Sequence, residues 1–461
     1  MLSRVALRLD SMPRHIAFVI ALLLALLSST AQASEVVEIR VFDNSKTTDD
    51  TVIYIAGVDK GDEVDAEELQ KIKERLVSSG LFKEVAVYTT DTAGGVRLNI
   101  EAKDKHSWAV APTYYNQPTN KGFGFGFGEN NLFGENKKLL LYGQVATGET
   151  FFVGALQDPQ MWNSPFKAQL DVYLRSARIF EFASPDGWFE QTDKVRKTRL
   201  TYLNAGLAMG VNFYRVVSLD FRLRGAKVGY KDTELVEGAA IEDITGDPNS
   251  DPADIPEPGA EGWDVSGDID LKISTLANWY GITTGTRLSF SWERALVDLG
   301  SDFDYWMASA GFLKAVRLFE KHNFIVKSGL NYGKDLPFQQ EFTSGGMGLR
   351  GYRGNQFRGD FKASGSAEYS LELLNIKGVA FRALAFYDTA YTRFLDDGNE
   401  AFRNYLDGYD DKGVKWWRNS VGVGTRLYIR QLVLPLLGVD VGYAVEANAF
   451  EFFLAIGLTD T

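Results

Sequence analysis

The chain has 461 residues, 45% of them hydrophobic and 13% aromatic, with 45 Gly, 12 Pro, no Cys and a formal charge of −12. That much apolar and aromatic side chain excludes a disordered chain, and the lack of Cys excludes a disulfide scaffold and any thiolate metal site. The acidic balance argues against nucleic acid as a partner, while glycine at about a tenth of the chain, against a norm of roughly 7%, favours strands and turns.

Arg4, Arg8 and Arg14 flank the start of an uninterrupted apolar run from Ile16 to Leu27, and Ala31-Gln32-Ala33 follows with small residues. This is the pattern of a signal peptide over residues 1–33, cleaved after Ala33. The run is shorter than the roughly 18 to 20 apolar residues a helical span needs. No later segment is apolar for long enough either, so a membrane protein built from this chain crosses with strands.

Residues 34–106 read as a small α/β unit. Val36 to Phe42 alternates as a strand, and Thr48 or Asp49 can cap a short helix running through Ile55. Asp65 caps a second helix with Glu68 at the capping-box position. Leu69, Ile72 and Leu76 form the buried stripe of that helix, and Gly80 suits a left-handed end. Val85 to Tyr88 and Val96 to Ile100 are strands about a turn at Gly94-Gly95. The order is strand, helix, helix, strand, strand. Ile39-Arg40-Val41, Asn44, Thr47-Thr48, Gly57, Gly61-Asp62 and Leu76-Val77-Ser78-Ser79-Gly80-Leu81-Phe82 make this unit resemble a POTRA domain, the periplasmic module that precedes outer-membrane assembly and secretion barrels.

Residues 107–461 have period two. Phe166, Ala168, Leu170, Val172 and Leu174 alternate with polar residues, as do Val217, Leu219, Phe221 and Leu223, and then Leu288, Phe290 and Trp292. Charged residues recur on one face of strand after strand, as in a transmembrane barrel with lipid outside and a wet lumen. At roughly 22 residues per strand with its share of turn, the stretch accommodates about sixteen antiparallel strands. Gly122, Gly124, Gly126 and Gly128 alternate with Phe123, Phe125 and Phe127 in what reads as the first strand. Four glycines on one face either weaken a seam between first and last strands or make lumen room for a folded-in loop.

Between Lys231 and Lys272 there is no Lys or Arg but there are thirteen carboxylates, without which the formal charge would be +1. The stretch 232–270 reads as one solvated extracellular loop, and its spacing matches no EF-hand.

Phe338, Gly345-Gly346, Leu349-Arg350-Gly351-Tyr352 and Gly354 resemble the Val/Leu-Arg-Gly-Phe/Tyr signature of the BamA/TamA-type outer-membrane superfamily, the bacterial surface antigen family. Gly128, Asn131-Leu132-Phe133-Gly134 and Asp158-Pro159 resemble the family's first hairpins, and Tyr369-Ser370-Leu371-Glu372 and Phe386-Tyr387-Asp388 its later inner-wall strands. The resemblance implies a sixth extracellular loop folded into the lumen. A lone guanidinium there needs paired donors, which makes Glu372 and Asp388 the natural partners of Arg350. Ala390 stands where the family carries Gly, and the chain ends in Thr461 and not in an aromatic. The family implies an outer-membrane location with the POTRA domain in the periplasm. It also implies insertion or translocation of unfolded or partly folded protein clients beside outer-membrane lipid, with room for periplasmic accessory proteins. The alternatives are a passive porin and a two-partner-secretion-type transporter.

An enzyme is a poor fit. After cleavage only His106 and His322 remain, and the Gly122 to Gly128 run opens no helix and so is no phosphate loop. No catalytic, cofactor-binding or metal-binding residues follow from the sequence. Arg358-Gly359-Asp360 is the cell-adhesion tripeptide by letters only.

Overall fold

The computed structural model describes residues 34–117, 120–182, 194–213, 216–242, 247, 249–251, 255–279, 282–376, 379–395, 417–429 and 435–456. The signal-peptide reading falls outside them. The contacts divide the chain into a unit ending at His106 and one beginning at Ser107.

The N-terminal unit contains β1 (Ser34–Phe42), α1 (Asp49–Ala56), β2 (Glu63–Val64), α2 (Ala66–Ser78), β3 (Phe82–Thr92) and β4 (Gly95–Asp104). Thr48 caps α1, its side chain accepting from Thr51 N, and Asp65 caps α2, accepting from Glu68 N at 2.8 Å. Ser79 ends α2, and Gly80 follows with φ 75. The sheet order is β2-β1-β4-β3, with β1 and β4 parallel and the other pairs antiparallel. Val36, Val52, Ile55, Ile72, Leu76, Leu98 and Ile100 form its core. The two-residue β2 was invisible in the sequence because two residues have no period. This α/β unit fits the POTRA fold.

The second unit is a closed barrel. Its strands are β5 (Trp108–Gln117), β6 (Asn120–Leu132), β7 (Lys137–Ala146), β8 (Glu149–Asp158), β9 (Phe166–Phe182), β10 (Lys194–Phe213), β11 (Val217–Leu235) and β12 (Gly262–Ser274). A three-residue β13 (Ala277–Trp279) pairs with β14 (Ile282–Ala295), followed by β15 (Trp306–Leu318) and β16 (His322–Lys334). The short hairpin β17 (Phe342–Ser344) and β18 (Phe357–Gly359) belongs to a loop. β19 (Phe361–Ile376), β20 (Val379–Arg393), β21 (Trp417–Ile429), β22 (Pro435–Ala444) and β23 (Ala449–Ile456) complete the wall. Without β13 and the hairpin, the wall is a sixteen-strand antiparallel sheet closed by β23 against β5.

Alternation sorts the faces. Phe166, Leu170, Phe221, Leu223, Leu288 and Phe290 are all exposed on the outside. Asp171, Arg224, Asp264 and Asp388 are buried on the inside. In water such an outer surface would be a severe aggregation liability, whereas against lipid tails it is solvated.

Two expectations are corrected here. Gly122 to Gly128 lie on β6, the second barrel strand, because the apolar Trp108 to Gln117 stretch ahead of them is itself a strand with ten paired positions against β6. The acidic stretch is not all loop: Asp232 and Glu234 belong to β11, and Asp264, Asp268 and Asp270 to β12. On β12 those carboxylates share the inner face opposite Trp263, Ile269, Leu271 and Ile273, so density of charge hid a period-two strand.

Candidate functional site: lumen loop and seam

The loop between β16 and β19 stands on one wall of the lumen and reaches another. Its stem meets β11 and β12: the Phe338 ring lies 5.9 Å from that of Tyr230, and Gln340 Nε2 donates to Asp264 Oδ2 at 3.0 Å. Arg358 donates from Nε to Glu341 at 2.6 Å and stacks 3.7 Å over Phe338. Arg358 and Asp360 are therefore used inside the barrel, which leaves the tripeptide no surface role.

The tip turns back at Gly345, with φ 118, and Gly346 N donates to Tyr352 O at 2.9 Å. It carries Leu349, Arg350 and Tyr352 into burial at 0%, 4% and 2% exposure. Leu349 and Tyr352 pack on Ala390 of β20 and Ala444 of β22. Ala390 thus fills space against the loop where the family's glycine would leave it open. Tyr352 Oη donates to Glu446 Oε2 at 2.5 Å. The approach to β22 is backbone on backbone. A Cβ at Gly442 would lie 2.5 Å from Arg350 C, and one at Gly351, where φ is 112, would lie 2.8 Å from Ala444 N. Glycine is required at both positions.

Arg350 forks onto Asp388, Nε to Oδ2 at 2.8 Å and Nη2 to Oδ1 at 2.9 Å, and its backbone N donates to Oδ2 at 3.2 Å. Nη1 donates to Glu368 Oε2 at 3.2 Å and lies 3.6 Å from Asp440 Oδ2. The guanidinium carbon sits 3.4 Å above the Phe386 ring. Asp440 in turn is held by Arg426 through two bonds of 2.7 and 2.8 Å, and Ser366 Oγ donates to Asp388 at 2.8 Å. Two arginines and three carboxylates from the loop and β19 to β22 thus pair in one network. Breaking such a pair by removing one partner costs about 3–5 kcal/mol, since it leaves a buried charge behind.

The structure brings Arg350 and Asp388 together but not Glu372. Glu372 faces Arg382 across β19 and β20, lies 3.6 Å from Lys321 and accepts from Asn375 at 3.2 Å. It shares the inner face with Glu368 but sits four residues farther along β19, about 13 Å at strand rise. Periodicity identified the face and could not fix the depth. Glu368, Arg426, Asp440 and Gly442 were missed. The signal available was Asp440 alone between Val439 and Val441, a lone carboxylate on an inward position of an apolar strand.

The seam is the other feature. β23 and β5 pair at three positions among the described residues, Leu454 with Asn116, Ala455 with Tyr115 and Ile456 with Tyr114. β5 and β6 pair at ten, β22 and β23 at eight, and β10 and β11 at seventeen.

Comparison with known proteins gives the fold a family. The model of the Omp85 superfamily domain matches residues 131–446. BamA from Haemophilus ducreyi lacking POTRA domains 1–3 superposes with a TM-score of 0.59 at 17% identity, covering 92% of this chain and 84% of that one. CdiB from Acinetobacter baumannii superposes with a TM-score of 0.61 at 15% identity, covering 92% and 74%. CdiB from Escherichia coli gives 0.59 at 12%, covering 92% and 76%. No curated protein matches the sequence. With a family match over more than half its length and a sixteen-strand barrel holding an Arg-Gly loop in its lumen, this chain belongs to the Omp85 superfamily of outer-membrane β-barrels.

Proposed function

We propose that the protein moves protein clients into or across the outer membrane without nucleotide or cofactor, residues 34–106 acting as a periplasmic POTRA domain and residues 107–461 as the barrel. The observation that carries this is the seam. A closed barrel has no free edge, so a client strand enters the wall only where one seam parts, and three paired positions among the described residues, against seven to seventeen between the other neighbouring wall strands, mark where separation costs least. The seated loop narrows the lumen, which weighs against a passive porin. Insertion fits this geometry better than passage across, because the seam faces lipid.

β3 supports a receiving role for the N-terminal unit. Among the described residues it ends the sheet with no strand on its outer edge, and β2 covers β1 at Ser34 and Glu35 alone. An unpaired edge is a template for an extended client. Deleting residues 35–105 should leave a folded barrel that has lost activity.

The decisive experiment locks the seam. Asn116→Cys with Leu454→Cys places one pair across it, and the lack of native Cys makes any disulfide the engineered one. Oxidised barrel in lipid vesicles should fail to insert an unfolded outer-membrane client, and reduction should restore insertion. Full activity in the oxidised state would route the client elsewhere.

A further inference from the structure

The outer face of β9 to β11 changes character along a line. Leu174 on β9, Leu203 and Leu207 on β10, and Phe221 and Leu223 on β11 are exposed and apolar. Two-residue alternation carries the same face on to Arg178, Arg199 and Lys231. These three lie toward the end of the barrel that holds the stem of the lumen loop, where Phe338 meets Tyr230. Arg199 is directly opposite Arg178 on one side and Lys231 on the other. Three cations thus form one cross-strand row just beyond the apolar band. Like charges directly opposite one another destabilise a sheet, so the row works against the pairing that holds it.

The carboxylates beside the row hold it loosely. Asp232, at φ 51 beside a bulge, lies 3.6 Å from Arg199 Nε with its side chain 77% exposed, and Glu234 pairs with Lys197 farther out. Exposed pairs of this kind contribute little. Below the row, exposed Lys227 stands opposite Leu203 on one side and Trp263 on the other, its Nζ 5.5 Å from the Trp263 ring. Lys227 and Lys231 are four residues apart, about 13 Å along the strand and about 10 Å in height at a tilt of ~40°. A phospholipid headgroup zone is roughly 5–8 Å thick on each side of a bilayer. The two levels of positive charge therefore span more than one layer of phosphodiesters.

We propose that this face binds a membrane lipid whose saccharide head carries more than one phosphate, the chemistry of lipopolysaccharide. One phosphate lies among Arg178, Arg199 and Lys231, where it relieves their mutual repulsion and meets two planar forks suited to its oxygens. A second lies at the height of Lys227, and the acyl chains run down over Leu203, Leu207, Phe221 and Leu223. Charge complementarity and continuity with the lipid-facing wall argue for this occupant together. A soluble acidic protein would answer the cations but not the apolar wall directly beneath them. β5 begins at the opposite end of the barrel, directly after residues 34–106, so the topology proposed above turns the row toward the outer leaflet.

Titration of the full-length protein in dodecyl maltoside micelles with fluorescent lipopolysaccharide tests it. Arg199→Gln and Lys231→Gln should each weaken binding by about five- to tenfold, and the two together by about fiftyfold. Lys334→Gln, the same loss of charge at an exposed position of β16 at the same end, should leave binding unchanged. A second measurement carries a change of sign. In micelles alone, Arg199→Gln should not lower the temperature at which the folded barrel unfolds, because one of three like charges is gone. With lipopolysaccharide present it should lower that temperature relative to the native protein. Unchanged binding in the double variant would overturn the proposal, as would an equal fall in unfolding temperature with and without lipopolysaccharide. Equally tight binding of phosphatidylglycerol would overturn the polyphosphorylated head. Micelles have no sides, so binding tests the face whichever way the barrel is oriented. The seam lock leaves these strands untouched: a locked barrel with full activity ends the route through the seam and leaves the lipid face standing, while unchanged binding in the double variant does the reverse.

Discussion

Asp388 accepts three hydrogen bonds from a single residue, two from the guanidinium of Arg350 and one from its backbone N. Side chain and main chain of the loop are thus fixed by one carboxylate, so the position of the tip along β20 is set as well as its charge. Glu368 and Asp440 each touch only Nη1.

This ranking is testable. Arg350→Ala should lower barrel stability by about 3–5 kcal/mol, with partial relief when Asp388→Asn is added, because a like-charge group is then gone from the site. Asp388→Asn alone should cost more than Glu368→Gln, and Glu372→Gln should change little. The temperature at which folded barrel converts to the slower-migrating form in electrophoresis reads all four. Equal effects of Glu368→Gln and Glu372→Gln would contradict the network.

The glycine contacts give a second series. Gly351→Ala and Gly442→Ala each place a Cβ within 2.8 Å of loop or wall backbone, which cannot yield as a side chain tip can. Each should cost about 1–3 kcal/mol and unseat the loop. Gly348→Ala, where a Cβ meets nothing within 4 Å, should be silent. Protease cleavage within residues 345–354 of the intact barrel measures seating directly.

In the lumen, Arg224 holds Asp264 at 3.3 Å and Glu293 at 2.6 Å, with Tyr305 Oη bridging both carboxylates at 3.0 Å. Arg224→Met should leave buried Asp264 facing partly buried Glu293 with no cation between them and cost several kcal/mol. Adding Glu293→Gln should recover part of it. Refolding yield from urea into detergent would show both changes.

In the N-terminal unit, burial opposes ionisation of Asp104, but hydrogen bonds from Thr47 Oγ1 and from the backbone N of Lys46 and Thr47 outweigh it and hold the carboxyl below the usual carboxylate range. A depressed folded pKa contributes stability that is fully present above the unfolded value, about 3.9, and is lost as pH falls through the folded value. Protection of the amides in residues 44–49, relative to the free-peptide rate at each pH, should therefore fall only below about pH 4. Asp104→Asn should exchange fast at neutral pH and flatten that dependence.

Much of this was legible in the sequence for a physical reason: lipid outside and polar side chains inside impose period two on strands such as Leu288 to Trp292, and Asp65 with Glu68 marks a helix start by local hydrogen bonding. Depth and partnership were not. Arg350 meets Asp388 because register sets them at one height, and register is a property of pairs of strands, so Glu372 on the same face was an equal candidate until pairing placed it about 13 Å away. The Gly122 to Gly128 run misled as to position because the Trp108 to Gln117 stretch ahead of it is itself a strand, which puts the glycines one strand away from the seam.

The loop's seat also fixes an order of events in the barrel's own folding. Arg350 precedes in the chain every carboxylate that holds it: Asp388 lies 38 residues later, and Asp440 on β22 later still. Gly442, whose bare Cα accepts the loop backbone, belongs to the last hairpin of the wall. Until β20 to β22 are in register, the tip has nowhere to go, and the long stretch of chain that must close to bring them together is rewarded only at the end. A seated loop is therefore a record of completion: it can form only in a barrel whose C-terminal third is already built, one strand short of closure.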